Sequence, residues 1–255
     1  APYVQKNLSV KETLAPLYRV AVSNSGDTSL DVYEIMPFNT KAKLVKKFTN
    51  VGATGVNFRI SRDCGETFGK IYKSPVSSPH GPTVLNDGTV LWVGRKLGIH
   101  NHMYAYTINT DTGEMTLRGD LGIYKYDEFK ELYFYEPHAI QLADGKIICH
   151  LRVENAEETI FTLYQTVSLD NGVTWSKPRQ IVRNDSGAPG HLFMHSSGTL
   201  ISTFSHRKRP YGIWAVFSED NGETWSDEVI LHHGYDTDDL GYPSTIELDN
   251  GDLIT

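Results

Sequence analysis

Two cysteines stand in 255 residues, and they cannot form a framework of disulfides. Cys64 and Cys149 fall at different places in different repeat units, so the spacing predicts two free thiols. Long apolar runs are also missing. None approaches the roughly 18 residues of a membrane span, and no charged-then-apolar leader opens the chain, which predicts no membrane span and a signal peptide either removed or never present. Positive charge is in deficit, with 24 Lys and Arg against 31 Asp and Glu and a formal net charge of −7. That balance, with dispersed basic residues, argues against nucleic acid or an anionic membrane as partner. His100-Asn-His102 and His232-His233 lack Cys or carboxylate partners at metal-ligand spacing and are read as surface or rim histidines. No metal or other cofactor is expected.

What the sequence does have is repetition. Short turns centred on Asp87-Gly88, Asp144-Gly145, Ser197-Gly198 and Asn250-Gly251 are each flanked by alternating apolar residues, the pattern of a β-hairpin. The turn glycines lie 57, 53 and 53 residues apart. In phase with them recurs a second element, once ahead of the first turn as Ser61-Arg-Asp63-Cys-Gly65-Glu-Thr67-Phe68 and then between turns as Ser168-Leu-Asp170-Asn-Gly172-Val-Thr174-Trp175 and Ser218-Glu-Asp220-Asn-Gly222-Glu-Thr224-Trp225. Asn109-Thr-Asp111-Thr-Gly113 is a worn copy. In each, the Asp can accept backbone N–H groups and the Gly can take positive φ, closing a turn between outer strands, while the Trp packs between units. A unit of about 50 residues with several strands is the signature of a β-propeller, an all-β fold.

Residues 1–60 fit the repeat least. Tyr18–Gly26 and Asp31–Met36 read as strands, and the lysine-rich Lys41–Lys47 reads as a loop or edge strand. One propeller domain is expected over 1–255, with four blades and the start of a fifth. Because the chain stops within a hairpin, the remaining blades are expected from a longer protein.

The turn glycine serves as a ruler for chemistry. Nine residues before it stand Pro79, Glu136, Pro189 and Tyr242; seven after it stand Arg95, Arg152 and Ser205, with Arg207 and Arg209 just beyond. A hairpin in simple register sets Glu136 opposite Arg152. One rim then collects Glu136, Tyr242, Arg152, Arg207 or Arg209, and the histidines His80, His138 and His191. Arginines hold a carboxylate in a fork, and a neutral phenol can attack a sugar bearing that carboxylate without like-charge repulsion, a nearby Glu taking its proton.

These boxes, with the ordered series Glu136, Arg152, Arg209 and Tyr242, resemble the sialidase (neuraminidase) superfamily over about Ser61 to Thr255. The resemblance implies a six-bladed β-propeller and a retaining exo-glycosidase removing terminal sialic acid or a related acidic sugar from glycoconjugates. It implies Tyr242 as nucleophile, Glu136 as its base, and Arg152 with Arg209 on the substrate carboxylate. It further implies a secreted, periplasmic or cell-surface setting. The family's first arginine and its acid/base Asp have no counterpart: Phe58-Arg59-Ile60 runs into a box and reads as outer strand, and no Asp follows Tyr18-Arg19-Val20 at the family's distance. The alternative is a carbohydrate-binding or interaction propeller whose boxes are only structural.

Overall fold

The computed structural model describes residues 3–6, 18–23, 30–35, 42–48, 56–96, 102–122, 132–155, 160–182, 187–238 and 240–255. Among these every regular element is a β-strand. The chain divides into two compact units, Ala1–Ser74 and Pro75–Thr255.

The N-terminal unit contains an antiparallel meander of Tyr3–Lys6, Tyr18–Ser23, Leu30–Ile35 and Ala42–Phe48, in that order. The lysine-rich stretch is therefore an edge strand. Asn57–Phe58 pairs with Tyr72–Lys73 as a separate ribbon, and the Arg59 guanidinium donates to Gly69 O at 3.2 Å.

The C-terminal unit is built from three antiparallel blades and a closing hairpin. The first blade centres on Val90–Lys96, paired inward with Val76–Ser77 and Thr83–Val84 and outward with Met103–Ile108 and then Met115–Asp120. The second runs Leu132–Gln141, Ile147–Asn155, Phe161–Ser168, Arg179–Gln180; the third runs Ala188–Met194, Leu200–His206, Gly212–Ser218, Val229–His233. Ile246–Glu247 and Leu253–Ile254 pair as the hairpin. The strand Leu132–Gln141 packs against both Val90–Lys96 and Ala188–Met194, and Ile147–Asn155 also packs against Ala188–Met194, so the inner strand of each blade lies against the following strand of the blade before it. This is the β-propeller architecture the repeat implies.

Four inner turns keep step. Leu142 donates its N–H to Lys146 O at 2.8 Å and Gly145 to Leu142 O at 3.0 Å, and the same pair of bonds recurs at Leu85/Thr89, His195/Thr199 and Leu248/Asp252. Gly145 sits at φ 89°, which an L side chain rarely adopts. The boxes close as expected: Asp170 Oδ1 accepts from the Thr174 N–H at 2.8 Å and Oδ2 from its hydroxyl at 2.6 Å, while Gly172 N–H donates to Ser168 Oγ at 2.8 Å. Asp63 and Asp220 repeat the bonds to Thr67 and Thr224. With the threonine bonds as main cause, all three carboxyls are lowered to about 2. Trp175 and Trp225 precede their last strands rather than start them, because the turn runs on before Arg179 and Val229.

Side-chain packing locks the blades. Leu91, Val93, Met103 and Ala105 meet Phe134, Ala139, Ile147, Cys149 and Leu151 between the first two, and Leu163, Phe204 and Val216 fill the next junction. Each such aliphatic side chain, fully buried, contributes about 1.5–3 kcal/mol relative to exposure. Trp175 packs against the first junction, and Trp225 joins two clusters of the second, its indole N–H donating to Gln165 Oε1 at 2.9 Å. Gly222 lies so close to Ile148 that a Cβ there would stand 2.6 Å from its Cδ1. Both cysteines are free, Cys64 exposed and Cys149 buried.

Candidate active site

The site begins with a departure from simple register. Tyr135 pairs with Arg152 and His138 with His150, so the inner strand of the second blade carries one extra residue at Glu136-Pro137. Pro137 has no N–H for the ladder, and a bulge is where a strand tolerates it. Glu136 takes φ 48°, a left-handed conformation that costs a non-glycine residue roughly 1–3 kcal/mol. The expected pairing of Glu136 with Arg152 is thus corrected at the backbone, and the bulge re-aims the carboxylate. The third blade shifts register at the equivalent Pro189-Gly190.

So aimed, the two Glu136 oxygens face different partners. Tyr242 donates its phenolic O–H to Oε1 at 2.9 Å, and Arg152 Nη1 donates to Oε2 at 2.7 Å. Glu136 and Tyr242 occupy equivalent repeat positions, each followed by a proline. Burial, then the Glu136 carboxylate, raises the Tyr242 phenol above its usual value, with Arg152 and Arg207 opposing. Arg152 Nη2 donates to Glu154 Oε1. Burial works against the Arg152 charge, yet Glu136 and Glu154 outweigh it and hold the guanidinium above its ordinary value.

Aromatic rings lie beside the arginines of successive blades. Arg95 lies 4.7 Å and Arg152 6.0 Å from the centre of the Tyr135 ring; Arg152 lies 4.6 Å and Arg207 5.6 Å from that of Phe161. Such contacts are each worth about 0.5–2 kcal/mol depending on desolvation. Arg207 Nη2 also donates to Leu240 O at 3.1 Å, just ahead of Tyr242. Arg209 instead stacks on Tyr211, 5.0 Å from its ring centre, and makes no contact with the cluster among the described residues. Of the two candidate arginines, Arg207 is the one that lies beside Phe161 and the segment leading to Tyr242, and Arg209 lies on Tyr211. Next to Tyr242 lies a largely apolar recess of about 540 Å³ bordered by Ile213, Leu231, Tyr235, Leu240 and Pro243.

The three histidines are brought together as a buried cluster. Their ring centres are 4.6 Å (His138–His191), 5.0 Å (His80–His138) and 5.2 Å (His80–His191) apart. His138 Nδ1 accepts the Leu192 N–H at 2.9 Å and His191 Nδ1 the Thr245 N–H at 3.2 Å, so each ring ties its blade to the next. Burial, then neighbouring histidines, drives the His138 ring well below the usual range. Burial and His191 bring His80 to about 3, and burial alone brings His191 to about 4. An Nδ1 that accepts an N–H leaves the proton of the neutral ring on Nε2, which closes that nitrogen to a metal ion. Among the described residues no group of His, Cys, Asp or Glu is placed to hold a metal. His102 pairs with Asp120 at 2.6 Å.

The sequence ruler missed Glu154, Tyr135 and Phe161. Glu154 had a signal: two residues after Arg152 on one strand, it shares that residue's face.

Residues 59–254 match the model of the BNR repeat-like domain, and the chain belongs to that family. Among solved structures it is similar to a protein of unknown function from Dyadobacter fermentans, at 15% identity and TM-score 0.65, over 94% of this chain and 79% of that one. An endo-1,4-β-xylanase from Bacteroides thetaiotaomicron is similar at 13% identity and TM-score 0.56, over 91% and 95%. A Hadza microbial sialidase aligns at 17% identity and TM-score 0.45, over 76% of this chain and 44% of that one. At these identities the likeness is one of fold. No curated protein matches the chain.

Removal of Arg207, which touches Phe161 and the segment leading to Tyr242, is expected to lower kcat/KM on a turned-over glycoside at least about tenfold. Arg209→Ala should stay within about threefold of the parent. Steady-state kinetics of the two variants check the assignment.

Proposed function

We propose that the protein is a retaining glycoside hydrolase in which Tyr242 is the nucleophile and Glu136 its base. The observation that carries this reading is the 2.9 Å hydrogen bond from the Tyr242 phenol to Glu136, the nucleophile–base contact of covalent catalysis, made across 106 residues of sequence. Tyr242 Oη attacks the anomeric carbon as the bond to the aglycone oxygen breaks, and the phenolic proton passes to Glu136 Oε1. The aglycone departs with the bonding electron pair, and a nitrophenolate needs no proton to do so. Water then attacks the glycosyl-tyrosine, its proton passing to solvent, while Glu136 returns a proton to the phenolate oxygen. Two displacements retain configuration.

Arg152 donates to Glu136 Oε2 and holds the carboxylate in place, with its other oxygen turned to the phenol. Sialic acid or a related acidic sugar is the substrate class implied by the resemblance, and Arg152 with Arg207 are the arginines nearest the phenol. Release of nitrophenolate from a panel of p-nitrophenyl glycosides, neutral and acidic, tests the reading. Glycan binding with no release from any member would instead support a carbohydrate-binding propeller.

A further inference from the structure

We infer that Glu154 sets the sugar class: it compensates the Arg152 charge, and the site takes a glycoside that is neutral at the ring carbons facing Arg152. The inference rests on the glycosidase reading and replaces the acidic sugar implied by the resemblance with a neutral one.

A clamp for a substrate carboxylate needs guanidinium N–H groups that converge and carry uncompensated charge. Arg152 offers neither. Its Nη1 is bonded to Glu136 and its Nη2 to Glu154, so one cation is shared by two carboxylates. Its side chain is only 15% exposed, and its buried Nε lacks a partner. A third carboxylate arriving there would meet two anions around one cation in a partly desolvated setting, where like charges repel strongly. The flanking arginines do not repair this. Arg95 lies 4.7 Å from the centre of the Tyr135 ring and Arg207 5.6 Å from that of Phe161, two rings that Arg152 also approaches.

The choice of a phenol as nucleophile keeps its logic under this reading. A carboxylate in place of Tyr242 would sit beside Glu136 and be driven to protonate, whereas a phenol stays neutral until it attacks. The protein's own carboxylates, not the substrate's, create the repulsion that a tyrosine avoids. Glu154 lies beside Arg152 on one strand face and acts through it, as a positioning and charge-compensating residue.

The test compares p-nitrophenyl galactoside, glucoside, xyloside and arabinofuranoside with p-nitrophenyl glucuronide and sialoside. The protein should prefer its best neutral substrate over either acidic one by at least about 100-fold in kcat/KM. Glu154→Gln should shrink that ratio at least about tenfold, chiefly through KM for the acidic sugars, and Glu154→Asp should keep it. Thermal melts check that the variants are folded. Preference for an acidic glycoside, or a ratio unmoved in a folded Glu154→Gln variant, would overturn the inference. If nothing in the panel is cleaved, the glycosidase reading fails, and calorimetric binding of N-acetylneuraminic acid against methyl glycosides of the neutral sugars still decides the charge question. Tighter binding of the acid would overturn it, and tighter binding of a neutral sugar would uphold it.

Discussion

Tyr242→Phe is expected to lower kcat/KM on the best aryl glycoside by about 10³-fold or more, and Glu136→Gln by a similar factor. Phe keeps the ring and loses only the oxygen that attacks, so the recess beside it is preserved. Gln keeps the shape of Glu136 and its bond from Arg152, but it cannot take a proton. Since the two residues act as one unit across a single hydrogen bond, the double variant should be little worse than either single one. Multiplying losses would mean that the residues act separately. Steady-state rates on the three variants, with folding checked by circular dichroism, supply the comparison.

Acid should destabilise the fold well before it protonates the box aspartates. His80, His138, His150 and His191 are held neutral chiefly by burial, with His80 and His150 brought to about 3 and His191 to about 4. In the unfolded chain each takes a proton near pH 6.5. Between about pH 6.5 and 4 the unfolded state therefore binds more protons than the folded one, and stability falls as pH falls through that window. Each histidine costs roughly 2 kcal/mol by pH 5, and the four together approach a typical total folding free energy. The aspartates Asp63, Asp170 and Asp220 act in a separate window: their stabilisation is present above about pH 3.8 and is lost toward pH 2. Urea unfolding at pH 7.5, 6 and 5 should show a drop of more than about 4 kcal/mol over this range, and a flat profile would show that these rings are not held neutral.

Much of this was legible in the chain because the propeller writes its register into every unit. Gly88, Gly145, Gly198 and Gly251 mark homologous turns, so counting from them placed Glu136 and Tyr242 at equivalent positions and on one rim. The Ser-x-Asp-x-Gly-x-Thr pattern fixed a turn whose bonds are all local, which is why its reading carried over residue by residue. The ruler failed where regular spacing stopped. Arg207 and Arg209 both lie past the end of the strand Leu200–His206, where alternation no longer says which side chain faces the rim. The bulge at Glu136-Pro137 inserts a residue that no periodicity reveals, although the proline was a hint of it. The strands Tyr3–Lys6, Tyr18–Ser23, Leu30–Ile35 and Ala42–Phe48 form a meander, and the sequence around them has no turn glycine in phase with the rest, so the repeat did not announce it.

Glu154 was overlooked for a different reason. A sequence gives the candidates for binding a substrate carboxylate but not whether the protein's own carboxylates have already claimed them, and that is a matter of contacts across one strand face.

The central claim is that Tyr242 forms a bond to the sugar. Reaction of the protein with 2-deoxy-2-fluoro glycosyl fluoride forms of the sugars it cleaves, followed by digestion and peptide mass analysis, tests it most directly. A mass increase of one fluoroglycosyl group on the peptide bearing Tyr242, absent in Tyr242→Phe, is the result expected. The same group found on Glu136 or Glu154 instead, with Tyr242 unmodified, would contradict the account.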